Sequence, residues 1–412
     1  MQFREHTLAN GLEIVAECND DARSTALGFF VQTGARDETS DVAGVSHFLE
    51  HMVFKGTPSR SADDVNRHFD EMGAHYNAFT SEESTVYYAA VLPEYQTSAV
   101  ELLSDILRPS LRESDFDTEK QVILEEIKMY EDQPPFGADD RVRALHFGRH
   151  PLGHSVLGTR ETVGGLPVEK MREYFRHRYS PANIALVGAG KIDFDAFIRA
   201  AERCCGAWEH APARRAIERP TGHASFECLQ KESATQEYVI QLADGPSATD
   251  TDRFAAKLLA TILGDDSGSR LYWELVDPGL AESASLGHHD YHGAGLLITY
   301  LSCAPDEAQA NLQRVLDLYR KAEAAGVTAE ELDQAKNKIN SRVVLSSERP
   351  RGRLFNVGGN WTYRHEHRTV ADDLAAIDAV TLADIRAVLA KYPLSTSTTI
   401  AVGPLAAIAP PA

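Results

Sequence analysis

The sequence predicts a duplicated protein of mixed strands and helices, two homologous halves joined by a connection. Three observations carry that expectation. Short runs rich in β-branched and aromatic residues alternate with stretches of helical period on both sides of residues 208–232. The segment order of the first half recurs in the second at an offset of about 210–216 residues, which marks an internal repeat. Residues 208–232 break the pattern: Pro212, Arg214, Arg215, Pro220, Thr221 and Gly222 fall there with no clear helical period. The expected domains are therefore 1–212 and 233–412, with 213–232 as linker.

Each element has a local reason. Residues 2–8 and 12–18 read as two strands joined at Asn10-Gly11, a strong hairpin signal. Residues 24–32 read as a buried strand, and the polar loop Thr33-Gly34-Ala35-Arg36-Asp37-Glu38 leads into a helix over 44–54. Ser61 caps a second helix, with Asp63 and Asp64 in its first turn. Two β-rich runs, 74–80 and 84–92, flank the polar turn Ser81-Glu82-Glu83. Helices over about 95–107 and 114–131 follow, then a helix over 167–178 and a buried strand over 182–190. In the second copy, 235–242 matches 24–31, 254–263 matches the 44–54 helix, and 295–302 matches 85–92. Helices over 306–324 and 328–345 repeat the 95–131 pair.

Composition bounds the function class. Hydrophobic residues are 43% and charged ones 25%, as in ordinary globular proteins. The net charge of −20 argues against non-specific binding to nucleic acid or to anionic membranes. Five cysteines, Cys18, Cys204, Cys205, Cys228 and Cys303, show no paired or metal-binding spacing and read as free thiols in a reducing compartment. The N-terminus lacks the apolar stretch of a signal peptide, and no run is long enough to span a membrane. The expected location is cytoplasmic.

The chemistry concentrates in the 44–54 helix. His47 and His51 are four apart, so their imidazoles share one helix face, with Glu50 beside it. Two neutral imidazoles at this spacing can hold Zn²⁺, and the carboxylate can take a proton from a water that the metal activates. The order His-x-x-Glu-His is the inverse of a common zinc-protease motif and is itself a zinc-protease signature.

A third ligand comes from the 114–131 helix. Glu119, Val122, Ile123, Glu126, Ile127 and Tyr130 recur at helical spacing and form a stripe that is apolar except for its two carboxylates. Buried carboxylates need a cation or donors to stay ionised. Glu126 is the expected ligand, and Glu119, two turns earlier, is expected to orient a ligating histidine. Glu125 is the competing ligand, about 100° away around the helix.

The other histidines are less metal-like. His146, His150 and His154 fall in a stretch with Pro151 and two glycines that reads as a loop. His288, Asp290 and His292 would share one side of a strand, and a surface or cavity-lining role fits them better than a second metal, as it does His365 and His367. Residues Lys257–Thr261 stand where His47–His51 stand in the first copy, so the second half has lost the chemistry.

These residues resemble the pitrilysin (M16) family of zinc metallopeptidases, in its short class that includes mitochondrial processing peptidase and bacterial homologues. His47-Phe-Leu-Glu-His51, Glu119 and Glu126 reproduce the family's zinc pattern. The stretch from His150 to Thr159, Tyr179-Ser-Pro-Ala-Asn183 and Ser269-Arg-Leu-Tyr-Trp-Glu-Leu also fit. The resemblance implies an α+β fold of LuxS/MPP-like metallohydrolase type, each half an antiparallel-rich sheet packed with helices. It implies a catalytic zinc-binding domain over 1–212 and a non-catalytic, chamber-forming domain over 233–412. It implies one Zn²⁺ per chain on His47, His51 and Glu126, Glu50 as the catalytic base, and Asn77, Ala78, Phe79 and Thr80 as an edge strand that grips peptide backbone. It also implies a chamber made by two chains that admits short or unfolded peptides.

One departure stands out. The family commonly carries an Arg and a Tyr in a second-half segment that here reads Glu274-Leu-Val-Asp-Pro-Gly-Leu-Ala-Glu282, with Val276 near the Arg position and Glu282 at the Tyr. Either Arg270, Tyr272 or Tyr291 substitutes, or a homologous partner chain supplies the pair. The expected partners are thus peptide substrates and a second chain, a homodimer or an Arg/Tyr-bearing heterodimer.

Overall fold

The structure, a computed structural model, describes every residue from Met1 to Ala412 except Arg214, which falls in the expected linker and lies outside the described residues. The strands are β1 (Gln2–Thr7), β2 (Glu13–Cys18), β3 (Thr25–Val31), β4 (His75–Thr80), β5 (Thr85–Val91), β6 (Ile184–Gly190), β7 (Phe226–Gln230), β8 (Glu237–Asp244), β9 (Ser283–Tyr291), β10 (Ala294–Cys303) and β11 (Thr398–Gly403). In the first half of the chain the helices are α1 (Val45–Val53), α2 (Ala62–Glu71), α3 (Gln96–Ile106), α4 (Glu113–Asp132), α5 (Ala138–Phe147), α6 (Arg160–Gly165), α7 (Val168–Arg178) and α8 (Phe194–Cys205). In the second they are α9 (Arg253–Gly264), α10 (Ala308–Ala325), α11 (Ala329–Ser347), α12 (Pro350–Arg364), α13 (Val370–Asp378) and α14 (Leu382–Lys391).

The strands form two sheets, ordered β1-β2-β6-β3-β5-β4 and β7-β11-β8-β10-β9. From β2 onward the two orders match strand for strand. In each, one pair is parallel (β2 with β6, β7 with β11) and the other neighbours run antiparallel. This is the expected α+β duplication, with β1 as an extra edge strand on the first copy.

The compact units are not continuous in sequence. One comprises Met1–Lys128, His154–Ala216 and Val344–Arg368; the other comprises Met129–Gly153, Ile217–Val343 and Thr369–Ala412. The expected division at 1–212, 213–232 and 233–412 needs correcting on this point, and the reason is physical. Each sheet has two apolar faces, because alternate side chains on its central strands point to opposite sides. In the first unit α1 and α3 lie over one face, and α12 covers the other, setting Leu354 and Val357 against Val15, Phe30, Val86 and Val187. Gly358 allows this approach, since a Cβ there would meet the Phe30 ring at 2.3 Å. In the second unit α5 does the same, with Val142 and Phe147 against Ile240, Leu242 and Ile400. Each sheet thus takes a helix from the other half of the sequence.

The expected linker contains strand β7, an edge strand whose half-buried residues carry little alternation. Residues 145–147 complete α5 rather than opening a loop. Among the described residues no helix is long and apolar enough to cross a membrane.

Candidate metal centre

Helix α1 buries Val45, Phe48, Leu49, Met52 and Val53, which leaves His47, Glu50 and His51 on the side that is only partly covered. Its N-terminus is held by Glu38. The two carboxyl oxygens of Glu38 accept the Gly44 and Ser46 amide N–H groups, each at 2.7 Å, and so satisfy two of the donors that every helix start leaves unpaired. Burial pushes the Glu38 carboxyl up to about 7, against the pull of those N–H groups and of the Ser46 hydroxyl. Gly44 adopts φ 93°, a left-handed turn that glycine enters without a Cβ penalty. No sequence signal marks Glu38, because its place six to eight residues before the capped amides lies outside the usual capping spacings.

On α4 the buried line is Phe116, Glu119, Ile123 and Ile127. Val122 and Tyr130, expected within that stripe, are 47% and 52% exposed: at about 100° per residue Val122 falls outside the buried arc, and Tyr130 sits in the last turn of the helix, past its last buried residue, Ile127. Glu126 lies on the margin of that arc and faces α1. Its Oε2 is 3.8 Å from His47 Nε2 and 3.7 Å from His51 Nε2. Glu125 is exposed and outside this group.

The three residues offer one ligand atom each, all within 4.8 Å of one another. A tetrahedral ion with bonds near 2.1 Å separates its ligands by roughly 3.4 Å, so closing this triangle needs only small side-chain rotations. The protonation states suit a cation. Burial, aided by the neighbouring His51, pushes His47 down to about 4, so the imidazole is neutral at physiological pH. His51 Nδ1 lies 2.8 Å from Glu119 Oε1, which makes that nitrogen an N–H donor and leaves Nε2, on the side of Glu126, as the atom that would bind a metal. Burial opposes ionisation of Glu119, but Lys55 Nζ at 2.6 Å and His51 hold its carboxyl below the ordinary value. Lys55 stands one turn beyond His51, and nothing in its spacing marks it for this contact. Burial raises Glu126, with Glu119 adding to the rise and His51 working against it, so the site disfavours an unshared negative charge. The residues therefore fit a divalent cation that prefers nitrogen and oxygen ligands. Among the described residues this is the group that could hold one.

Glu50 is partly buried beside this group. Burial raises its carboxyl, while the Thr80 hydroxyl, donating to Oε2 at 2.6 Å, lowers it. Thr80 ends β4, the edge strand of its sheet, which among the described residues pairs with β5 alone. The four residues singled out on β4 divide between its faces. Ala78 packs into the core and Thr80 meets Glu50, while Asn77 is exposed and Phe79, 40% exposed, lies 5.9 Å from the Phe355 ring of α12.

Four of the other histidines have partners elsewhere. His146 is buried between Asp244 and Thr398, His150 meets the Glu218 carbonyl, His288 meets the Pro246 carbonyl, and His367 meets Glu17. In the second unit the equivalent helix pair is joined without histidine. Asp265 lies 2.8 Å from Lys338 and 2.7 Å from Arg342 of α11. Of the candidates for the Arg/Tyr role, Arg270 is committed to Glu331 at 2.7 Å, and the Tyr291 hydroxyl accepts from Arg143 at 2.7 Å. Tyr272 opens a π-helical turn, Val276 packs on the core of its unit, and Glu282 accepts from Gln236.

Comparison with known proteins places this geometry. Residues 13–160 match the family described as Insulinase (Peptidase family M16), and residues 165–339 match the Peptidase M16 inactive domain. YmxG, described as an uncharacterized zinc protease of Bacillus subtilis, is 32% identical over 382 residues, covering 92% of this chain and 93% of its own. A similarly described protein of Streptomyces coelicolor is 35% identical over 394 residues, covering 93% of this chain and 86% of its own. The crystal structure of a protease from Helicobacter pylori shares the fold with a TM-score of 0.90 at 21% identity, over 98% of this chain and 99% of that one. By full-length identity and by the match of both halves, this chain belongs to the M16 family of peptidases.

Proposed function

We propose that the chain is a zinc-dependent endopeptidase that hydrolyses short or unfolded peptides. The observation that carries the reading is the convergence of His47, His51 and Glu126 with Glu50 at their side. His47 Nε2, His51 Nε2 and one Glu126 oxygen would hold one Zn²⁺ per chain. Bound there, the ion supplies Lewis-acid activation of a water and polarisation of the scissile carbonyl.

The chain's own groups do the rest. Thr80 occupies Glu50 Oε2, so Oε1 is the oxygen left to accept the proton of the attacking water. As the new C–O bond forms, Glu50 holds that proton and then passes it to the amide nitrogen, whose C–N bond breaks. Its raised affinity for protons suits both transfers. The open edge of β4 would align a peptide by main-chain hydrogen bonds, which tolerate many sequences. The match of residues 165–339 to an inactive-type domain supports a non-catalytic second half.

The test is Glu50→Gln. It is expected to keep stoichiometric zinc and lose hydrolysis of a fluorogenic peptide panel, which chelator also abolishes in the wild type. A glutamine variant that cleaves at the wild-type rate refutes this mechanism.

A partner-dependent reading has one observation in its favour. Val276 and Glu282 stand where the family's Arg and Tyr are expected, and Arg270 is already paired with Glu331. Activity of the chain purified alone as a homodimer would argue for self-sufficiency. Zinc-loaded but inactive protein would argue for an Arg/Tyr-bearing homologous partner.

A further inference from the structure

Residues 81–84 form the tight turn between β4 and β5, and two segments hold it. The loop before α1 approaches by its backbone, with Ala35 N–H donating to Ser81 O at 3.3 Å and Arg36 N–H donating to Glu82 O at 2.8 Å. Gly34 permits this approach, since a Cβ there would lie 2.2 Å from Ser81 O. The second segment is Arg215, from the expected linker. Its guanidinium donates to the Glu83 carbonyl at 2.6 Å, lies 3.4 Å from the Glu83 carboxylate, and forks onto Asp37 at 2.6 and 2.9 Å. Arg36 also pairs with Glu83 at 2.7 Å, and Arg178 with Asp37 at 2.8 Å. The side chains of Arg215, Asp37 and Glu83 are only 10%, 3% and 1% exposed.

A buried network of this kind costs desolvation and is satisfied only while every member is in register. It therefore specifies position, and its location is informative. Thr80, whose hydroxyl holds Glu50, is the residue immediately before the turn, and Ser81 N–H bonds Ser84 O at 2.8 Å, so the turn moves as one piece.

We propose that Arg215 is a positioning residue for the general base: it clamps the 81–84 turn, and the turn sets the Thr80 hydroxyl that holds Glu50 Oε2. The segment leaving the first unit is thereby tied to the geometry of the base. A lysine could keep the charge but could not fork onto Asp37 and reach the Glu83 carbonyl together. The proposal rests on the peptidase reading given above.

The test compares Arg215→Lys, Thr80→Val, Thr80→Ser and the Arg215→Lys/Thr80→Val double variant, all zinc-loaded and full length. Arg215→Lys and Thr80→Val are each expected to lower kcat about tenfold with KM within about twofold, and Thr80→Ser to recover it. If Arg215 acts through Thr80, the double variant is no slower than the slower single one. Amide hydrogen exchange at Ser81–Thr85 is expected to rise in Arg215→Lys. Wild-type kcat in Arg215→Lys, multiplying losses in the double variant, or unchanged exchange each overturns the proposal. Should the lysine variant not fold, Glu83→Gln loosens the same clamp and the same outcomes apply. If the wild type cleaves no peptide, the functional reading fails, and the exchange measurement alone decides for or against the clamp.

Discussion

Glu119 Oε1 lies 2.8 Å from His51 Nδ1 while its other oxygen takes Lys55 Nζ at 2.6 Å. The carboxylate thus fixes which nitrogen of His51 carries the proton and which faces Glu126. Glu119→Gln removes the charge that sets that preference. Zinc affinity, measured by competition with a chromogenic chelator, is expected to fall roughly 10–100-fold while the fold is retained. Unchanged affinity would mean that Glu119 serves only as a partner for Lys55.

The two neighbouring glutamates of α4 make opposite predictions. Glu126 faces both imidazoles and Glu125 is exposed. Glu126→Gln is expected to lose stoichiometric zinc at micromolar metal, and Glu125→Gln to retain it. Metal content by atomic absorption distinguishes them, and zinc lost from the Glu125 variant instead would reverse the assignment.

Glu38 caps α1 through both oxygens. Glu38→Ala strands two buried N–H groups, at a cost of about 2 kcal/mol. The urea midpoint of the variant is expected to fall, and because His47 lies in the freed first turn, zinc affinity should fall with it. A variant with lowered stability but unaltered zinc affinity would confine Glu38 to a structural role.

Glu17 on β2 anchors α12. Arg353 Nε donates to it at 2.7 Å and His367 Nε2 lies at 3.0 Å. Burial alone would raise the Glu17 carboxyl, but these two partners hold it below the ordinary value of 4.5. A carboxyl lowered on folding contributes stability above its unfolded value and loses that contribution as pH falls through its folded value. Wild-type stability is therefore expected to decline on acidification below about 4.5. Glu17→Gln should be less stable at pH 7, by up to about 3 kcal/mol, and flatter across the acid window. Parallel pH curves for the two proteins would remove Glu17 from the acid response.

Much of the site is legible in the sequence because it is written in local spacing. The i, i+4 histidines with Glu50 between them define one helix face, and Glu119 and Glu126 recur seven apart on another helix. The duplication is legible because equal segment order at equal offset needs no knowledge of contacts. Less of the supporting shell can be read. Glu38, Lys55 and Arg215 are ordinary charged residues in or beside loops, and nothing in their spacing says what they touch.

By itself, the sequence determined the α+β class, the repeat, and the helix faces that bear the histidines and glutamates, since periodicity is set by the backbone alone. Only the tertiary structure decided which helix covers each sheet. Residues 138–147 and 350–364 are amphipathic wherever they pack, and burying two faces per sheet, not their order along the chain, places them. It likewise decided that Thr80 meets Glu50 and that Arg215 meets Asp37 and Glu83. Those pairs are far apart in sequence, and a buried charge or hydroxyl takes whatever partner the packed chain brings within reach.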